Sequence, residues 1–356
     1  MEEKADTALL APLRLAPLLL APLLLAWYDR HARQLPWRAP PGHPPPDPYR
    51  VWLSEVMLQQ TTVAAAGPYF GRFMARWPTV QSLAAAAEAD VMAEWAGLGY
   101  YSRARNLVQC AQAVAANGGF PSSEAELRTL PGLGAYTAAA VAAIAFGQRA
   151  VVIDANVERV VARLFAIREP LPRARKAIRE AADSITPTER AGDFAQAMMD
   201  LGSGICTSRD AKCLLCPLQS LCRARAEGDP LSLPVRAAKK ARPQRRGTAF
   251  WIERNGQVWL VTRPPRGMLG GMRALPDDGW TARVDGAGDA PLPGAWRAGG
   301  VVRHSFTHAD LELGVAIYAG DPGTLLGGEW WPVVHIGEAG LPTLFAKAAA
   351  LVMASR

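Results

Sequence analysis

Four of the five cysteines in this chain fall between positions 206 and 222, spaced Cys206-x6-Cys213-x2-Cys216-x5-Cys222, with Pro217 directly after the third. Disulfide frameworks belong to small secreted chains. In a chain of 356 residues, thiols clustered this closely point to metal ligation in a reducing compartment. Four thiolates can hold a zinc ion or an iron–sulfur cube. Zinc sites more usually show two Cys-x2-Cys knuckles, and only one is present here. Cys110 stands apart and reads as a small buried hydrophobe. A loop of this kind needs a folded frame around it.

That frame reads as helical. Trp27 to Arg38 forms one helix ended by Pro36, and residues 39–47 hold five prolines and make a loop. Asp47-Pro48 then opens a helix, an N-cap residue followed by proline in the first turn, that runs from Tyr49 to Val63. It is apolar nearly all round, as a buried helix is. Glu55 is its only charge between Val51 and Val63. A lone carboxylate in that setting is costly unless it is paired or protonated. It is either the partner of a distant arginine or a general acid kept protonated by its surroundings. Helical periodicity also covers 68–76, 79–95 and 101–116. Between the last two lies Gly97-Leu98-Gly99-Tyr100-Tyr101-Ser102-Arg103-Ala104-Arg105-Asn106. One reading is a loop that wedges an exposed leucine and tyrosines into a base stack while the arginines meet phosphates. The other is a buried aromatic turn capped by a solvated basic helix.

In Leu130-Pro131-Gly132-Leu133-Gly134-Ala135-Tyr136-Thr137, proline and two glycines interrupt the helical pattern, and an alanine-rich run continues to Phe146 with Gly147 as its stop. Gly132 and Gly134 leave backbone N–H groups bare before a helix N-terminus, which suits an anion. Without a P-loop lysine, the repeating phosphate of a nucleic acid fits that site; an ordinary helix–helix turn has the same local pattern. Val157 to Ile167, Arg173 to Ile185 and Ala191 to Leu201 are further helices leading to the cysteines.

Half of the residues are apolar, so a sizeable core is available and global disorder is excluded. The net charge of +7 and pI near 9.4 favour a polyanionic partner. Length predicts two domains rather than one. Leu9 to Ala26 resembles a signal or membrane segment. Its acidic leader Met1-Glu2-Glu3-Lys4, the interrupting Arg14, and Pro12, Pro17 and Pro22 argue against both, so residues 1–26 read as a low-complexity leader of a soluble cytoplasmic protein. The helical domain spans 27–225. A linker at 226–247 carries Arg236, Lys239, Lys240, Arg242, Arg245 and Arg246, either solvated or lying across phosphates. From 248 to 356 the period changes to two. Thr248–Arg254, the turn Asn255-Gly256 and Gln257–Thr262 predict a hairpin, strands follow at 299–306 and 311–319, and Pro342–Ser355 closes as a helix.

From about Trp27 onward the chain resembles the MutY family of adenine DNA glycosylases, which act on adenine opposite 8-oxoguanine. The likeness is carried by Asp47 to Thr61, by Gly97 to Asn106, by the Leu130–Thr137 turn with Asp154 downstream, and by Phe194 to Cys206. The cysteine spacing resembles the [4Fe–4S] loop of endonuclease III-like glycosylases, which implies that Cys206, Cys213, Cys216 and Cys222 hold a [4Fe–4S] cluster. The implied fold is multidomain: an all-α helix-hairpin-helix core in two lobes with the active site between them, and a C-terminal α+β Nudix-like domain. No RExxEE Nudix box follows residue 247, so lesion recognition suits that domain better than hydrolysis.

The resemblance also implies roles. Glu55 protonates the adenine at N7, and Asp154 stabilises the oxocarbenium sugar, although Asp154 reads equally as a plain N-cap. Tyr136 and Asn156 organise these carboxylates. Gly132 and Gly134 hold DNA phosphate. Trp37, Arg38 and Gln196 line the flipped-base pocket. Gln60, Leu98 and Tyr100 enter the stack around 8-oxoguanine, and Phe306-Thr307-His308 reads the lesion. Bifunctional relatives carry a lysine nucleophile where Tyr136 stands, so no Schiff base or strand cleavage is expected. The family's aromatic-rich Gly-Leu-Trp-x-Phe-Pro is replaced by Leu269-Gly270-Gly271-Met272-Arg273-Ala274-Leu275-Pro276, which predicts altered packing of the C-terminal core. The implied partner is double-stranded DNA with adenine opposite 8-oxoguanine or guanine, bound by a monomer, with no membrane.

Overall fold

The computed structural model describes residues 6–237, 241–264, 267–306 and 308–355. Contacts divide the chain into two compact units, Met1–Glu94 with Arg103–Ala238, and Trp95–Ser102 with Lys239–Arg356. Up to residue 237 the extended regular elements are helices: α1 (Asp6–His31), α2 (Pro48–Leu58), α3 (Val63–Arg76), α4 (Val80–Ala84), α5 (Glu88–Trp95), α6 (Tyr101–Ala116), α7 (Glu124–Leu127), α8 (Ala135–Phe146), α9 (Ala155–Leu164), α10 (Arg175–Ile185), α11 (Ala191–Gly204) and α12 (Arg223–Ala226).

In the first unit α8 is the hub. Every residue from Thr137 to Ala145 is buried, and α2, α7 and α11 pack around it. Alanine side chains permit this close approach. At Gly192 of α11 a Cβ would lie 2.5 Å from the Ala143 carbonyl oxygen. The left-handed C-cap at Gly147 (φ 66°) ends the helix where the sequence predicts.

The helix expected from Trp27 begins far upstream instead, and passes through the three prolines of the leader. Tertiary burial explains the part around Pro22, because Leu20, Leu24 and Tyr28, at i, i+4 and i+8, are fully buried where α1 packs on α10 and α11. The same helix stops at His31, before Pro36. The carboxylate of Asp200 accepts the Arg33 backbone N–H (3.2 Å) and so draws that residue out of the helical ladder. The Tyr49–Val63 helix ends at Leu58, and Thr62 caps a new helix, its hydroxyl accepting from the Ala65 N–H (3.2 Å). The expected 79–95 helix is two helices, the first opened by a Thr79–Ser82 capping box. No helix among the described residues is long and apolar enough to cross a membrane.

The second unit contains two sheets and a helix. Strands β1 (Gln244–Trp251), β2 (Glu253–Arg254), β3 (Gln257–Thr262), β4 (Arg273–Ala274), β5 (Trp296–Ser305), β6 (Asp310–Tyr318) and β7 (Gly328–Pro332) precede α13 (Thr343–Ala354). The Asn255-Gly256 turn is present, with both residues at positive φ (51° and 71°), but the hairpin it joins is only β2 against β3. The expected strand 248–254 splits. Its first part runs parallel to β6, which pairs antiparallel with β5, while β2, β3, β4 and β7 form the second sheet. One core, including Trp251, Leu260, Leu275, Trp280, Leu313 and Phe345, joins both sheets to α13. Met272, Ala274 and Leu275 of the divergent 269–276 segment are buried.

Candidate active site and cysteine loop

The start of α2 is set locally: Asp47 Oδ1 accepts the Tyr49 N–H (2.7 Å) and Pro48 occupies the first turn. Burial of Val51, Trp52, Leu53, Val56 and Met57 then fixes the helix and carries Glu55 to 6% exposure. Tyr136, in the first turn of α8, donates its hydroxyl to Glu55 Oε2 at 2.5 Å. Burial raises the Glu55 pKa above its ordinary value; the Tyr136 hydrogen bond and the Arg38 charge oppose this, and Asp154 reinforces it. Burial likewise holds the Tyr136 phenol well above its usual range, so Tyr136 stays a donor.

Asp154 is the N-cap of α9, and its two oxygens are both used. Oδ1 accepts the Val157 N–H (2.7 Å) and Oδ2 accepts Asn156 Nδ2 (2.8 Å). The capping and chemical readings of this residue are therefore compatible: the contacts that cap the helix also hold the carboxylate in place. Asn156 is held in turn, its Oδ1 accepting Arg159 Nη2 (2.9 Å). Arg159 also donates to the carbonyls of Gly202 (2.6 Å) and Cys206 (2.7 Å), joining Asn156 to the base of the cysteine loop.

Glu55, Tyr136, Asp154 and Asn156 line one cleft of about 1150 Å³, together with Trp37, Arg38, Gln60, Gly132, Gly134 and Gln196. Gly132 (φ 74°) has no room for a side chain, since a Cβ would lie 2.7 Å from that of Asn106. Gly134 is the N-cap of α8 without a side-chain cap, leaving N–H groups available at the cleft wall. Gln60 holds a left-handed backbone (φ 57°). Trp37 is buried edge-on to Phe70 (5.2 Å). No lysine is among the described residues lining the cleft.

Sequence reasoning missed Asp200. Buried on α11 at 4% exposure, it takes Arg33 Nε at 2.5 Å and Arg38 Nη1 at 2.8 Å. A single acid in the apolar run Met198-Met199-Asp200-Leu201 was the available signal, the same one that singles out Glu55. Arg38 is thereby a pinned cation, aimed from a loop by a carboxylate on a helix. Gly202 was missed too. A Cβ there would lie 2.6 Å from Asn156 Cβ. Gly202→Ala is expected to displace Asn156, at a cost of about 1–3 kcal/mol from overpacking; thermal unfolding of the variant beside the parent checks this.

Leu98 and Tyr100 are not among the residues lining the cleft. Of the two readings of this loop, the burial of Leu98 (8% exposed) accords with the buried turn, while Tyr100 is half exposed at φ 51°. In the second unit Phe306 packs on the core, with ring centroids 5.8 Å from Trp280 and 4.5 Å from His304, and its N–H donates to the Ala309 carbonyl (2.8 Å). His308 is exposed, and Thr307 lies outside the described residues.

The four cysteines face one small cavity of about 30 Å³, with no disulfide among them. Arg163, fully buried, donates from Nη1 to Cys206 Sγ (3.2 Å) and to the Thr207 carbonyl (2.7 Å). Burial pushes the Cys216 thiol up to about 11 and Cys222 in the same direction. Among the described residues, no three His, Cys, Asp or Glu side chains are grouped as ligands of a single ion.

A buried acid, a capped carboxylate and a glycine turn on one helical cleft define the class to which the comparisons point. Residues 53–187 match the family model described as HhH-GPD superfamily base excision DNA repair protein, and 248–351 match that of the NUDIX domain. A solved thermostable thymine-DNA glycosylase is similar to this chain at TM-score 0.53 and 27% identity, over 59% of this chain and 97% of that one. The human adenine DNA glycosylase is 34% identical over 90% of this chain and 72% of its own length. That of Arabidopsis thaliana is 38% identical over 70% of this chain and 46% of its own length. The chain belongs to the MutY family of adenine DNA glycosylases.

Proposed function

We propose that this chain is a monofunctional glycosylase that hydrolyses the N-glycosidic bond of adenine paired with 8-oxoguanine or guanine in double-stranded DNA. The observation that carries the proposal is the Glu55–Tyr136 hydrogen bond in the cleft that Asp154 also lines. The flipped adenine enters against Trp37, Arg38 and Gln196. Tyr136 occupies Glu55 Oε2, so the acid proton belongs on Oε1, from which it passes to adenine N7 as the base departs. The sugar is left as an oxocarbenium ion stabilised by Asp154, and water adds to C1′ to give free adenine and an abasic site. Tyr136, and the absence of lysine among the described residues lining the cleft, support hydrolysis without a covalent amine adduct. Gly132 and Gly134 position phosphate, Gln60 meets the stack around the lesion, and Phe306, Thr307 and His308 read 8-oxoguanine.

Cys206, Cys213, Cys216 and Cys222 would hold a [4Fe–4S] cluster. Four thiols on one cavity fit a [4Fe–4S] cube with one thiolate per iron. When bound, the cluster supplies iron–thiolate bonds that close the loop. Arg163 donates to one of those sulfurs, and Arg159 ties the loop's first residue to Asn156.

Single-turnover release from duplexes with adenine opposite 8-oxoguanine or guanine tests the reading, each product being analysed with and without alkali. Fast release opposite 8-oxoguanine, with strand breaks only after alkali, is expected. Breaks without alkali, or no release, would sink the monofunctional assignment.

A further inference from the structure

We infer that Arg103 is a positioning residue for Glu55, acting through the corner that ends α2; the inference rests on the glycosylase reading above. The Gly97–Asn106 sequence suggested that this arginine meets phosphate. In the structure its Nη1 instead donates to the carbonyls of Val56 (2.9 Å) and Met57 (3.4 Å), and at closest range to that of Gln59. These acceptors begin one residue after Glu55. The last carbonyls of a helix carry its partial negative charge and are short of intrahelical partners, although that of Val56 also accepts the Gln59 N–H (3.4 Å). The last turn of α2 holds no basic residue. A guanidinium from α6, planar and permanently charged, therefore caps the acid's helix from outside.

The corner is costly to form without that clamp. Gln59 leaves the helix (φ −59°, ψ 113°), and Gln60 follows in the left-handed region (φ 57°), which side chains rarely adopt. From the same corner Gln59 Nε2 donates to Thr137 Oγ1 (3.1 Å), a buried hydroxyl next in sequence to Tyr136. Tyr136 in turn donates to Glu55. Both sides of the acid's hydrogen bond thus stand on one closed ring: Glu55 and its helix end, Arg103, Gln59, Thr137 and Tyr136. The charged and titratable groups acting on Glu55 come from three other elements: Tyr136 on α8, Asp154 at the start of α9, and Arg38 in the loop after α1. Arg103 meets the end of the acid's helix through its backbone carbonyls. Its effect on the acid is through geometry and the exclusion of water.

The test uses the full chain with its cluster, as Arg103→Ala and Arg103→Lys. Lysine keeps the charge without the planar fork and remains measurable if the alanine variant does not fold. The expected result is adenine release slowed ~10-fold or more from bound duplex, with DNA affinity and its salt dependence close to the parent. The alkaline limb of the rate profile moves to lower pH, because a loosened corner admits water and lets Glu55 ionise more easily. Added guanidinium ion restores part of the rate to Arg103→Ala and none to Arg103→Lys. A parent-like rate on bound duplex, with a salt slope reduced by about one, overturns the inference and returns Arg103 to phosphate contact. Slowed release with an unshifted pH profile and no rescue overturns it in favour of plain scaffolding. A parent chain that releases no adenine overturns the glycosylase reading and this inference with it; the two preceding outcomes, with an active parent, overturn the inference alone.

Discussion

Asp154→Asn is expected to bind duplexes carrying adenine opposite 8-oxoguanine as the parent does, and to release adenine about 10³-fold more slowly. The substitution separates the two jobs of this residue. An asparagine oxygen can still accept the Val157 N–H, so the cap on α9 survives. The negative charge is lost, and the amide nitrogen would face Asn156 Nδ2, which now donates to Asp154 Oδ2. Two donors in opposition turn that contact from attraction to repulsion. A cap lost outright would cost about 1 kcal/mol and lower Tm without touching chemistry in the folded fraction. The measurement is therefore single-turnover release beside gel-shift affinity and Tm. A fully active variant would leave Asp154 as a structural cap alone.

Glu55→Gln is expected to slow release about 10²- to 10⁴-fold, the range for removing a positioned general acid. It should also change the pH dependence of stability in a direction that can be worked out. Burial raises the folded-state pKa of Glu55 above its unfolded value. A carboxyl of that kind contributes stability that is fully present below the unfolded pKa and is lost as pH rises through the folded pKa, because the folded protein must then expel a proton from a buried group. Glutamine can still accept the Tyr136 hydroxyl and has no proton to lose. The variant should thus be as stable as the parent in acid and more stable at alkaline pH. Catalysis has the same sign: only the protonated acid donates, so the parent's rate falls as pH rises through the Glu55 pKa. Thermal unfolding followed against pH checks the first point. A parent and a variant with parallel curves would mean that Glu55 titrates as an ordinary surface carboxylate.

Much of the candidate site is legible in the sequence because each residue violates the composition around it. Glu55 is a single charge in an apolar helix, the four cysteines crowd one loop, and two glycines break a helical pattern before α8. The structure brings Glu55, Tyr136, Asp154, Asn156, Trp37, Arg38, Gln60, Gly132, Gly134 and Gln196 to one cleft. Leu98 and Arg103 keep two readings in the sequence, and for one reason: a leucine and an arginine in a glycine-rich loop have the same local signature whether they face solvent or protein. The carbonyl partners of Arg103 are set by a chain segment distant in sequence.

The sequence by itself determined the features that depend on neighbours a few residues apart. These are the Asp47-Pro48 helix start, the Gly134 and Gly147 ends of α8, the Asn255-Gly256 turn and the cysteine spacing. Each is decided by local sterics and a single nearby hydrogen bond. The tertiary structure alone decided where α1 and α2 stop, because Asp200 and Arg103 reach them from other helices. It alone divided the strand predicted at 248–254 between two sheets, one part pairing in parallel with a strand some sixty residues on. Strand partners and buried ion pairs depend on loop closure and on which groups lose water together, and no window of sequence contains that information.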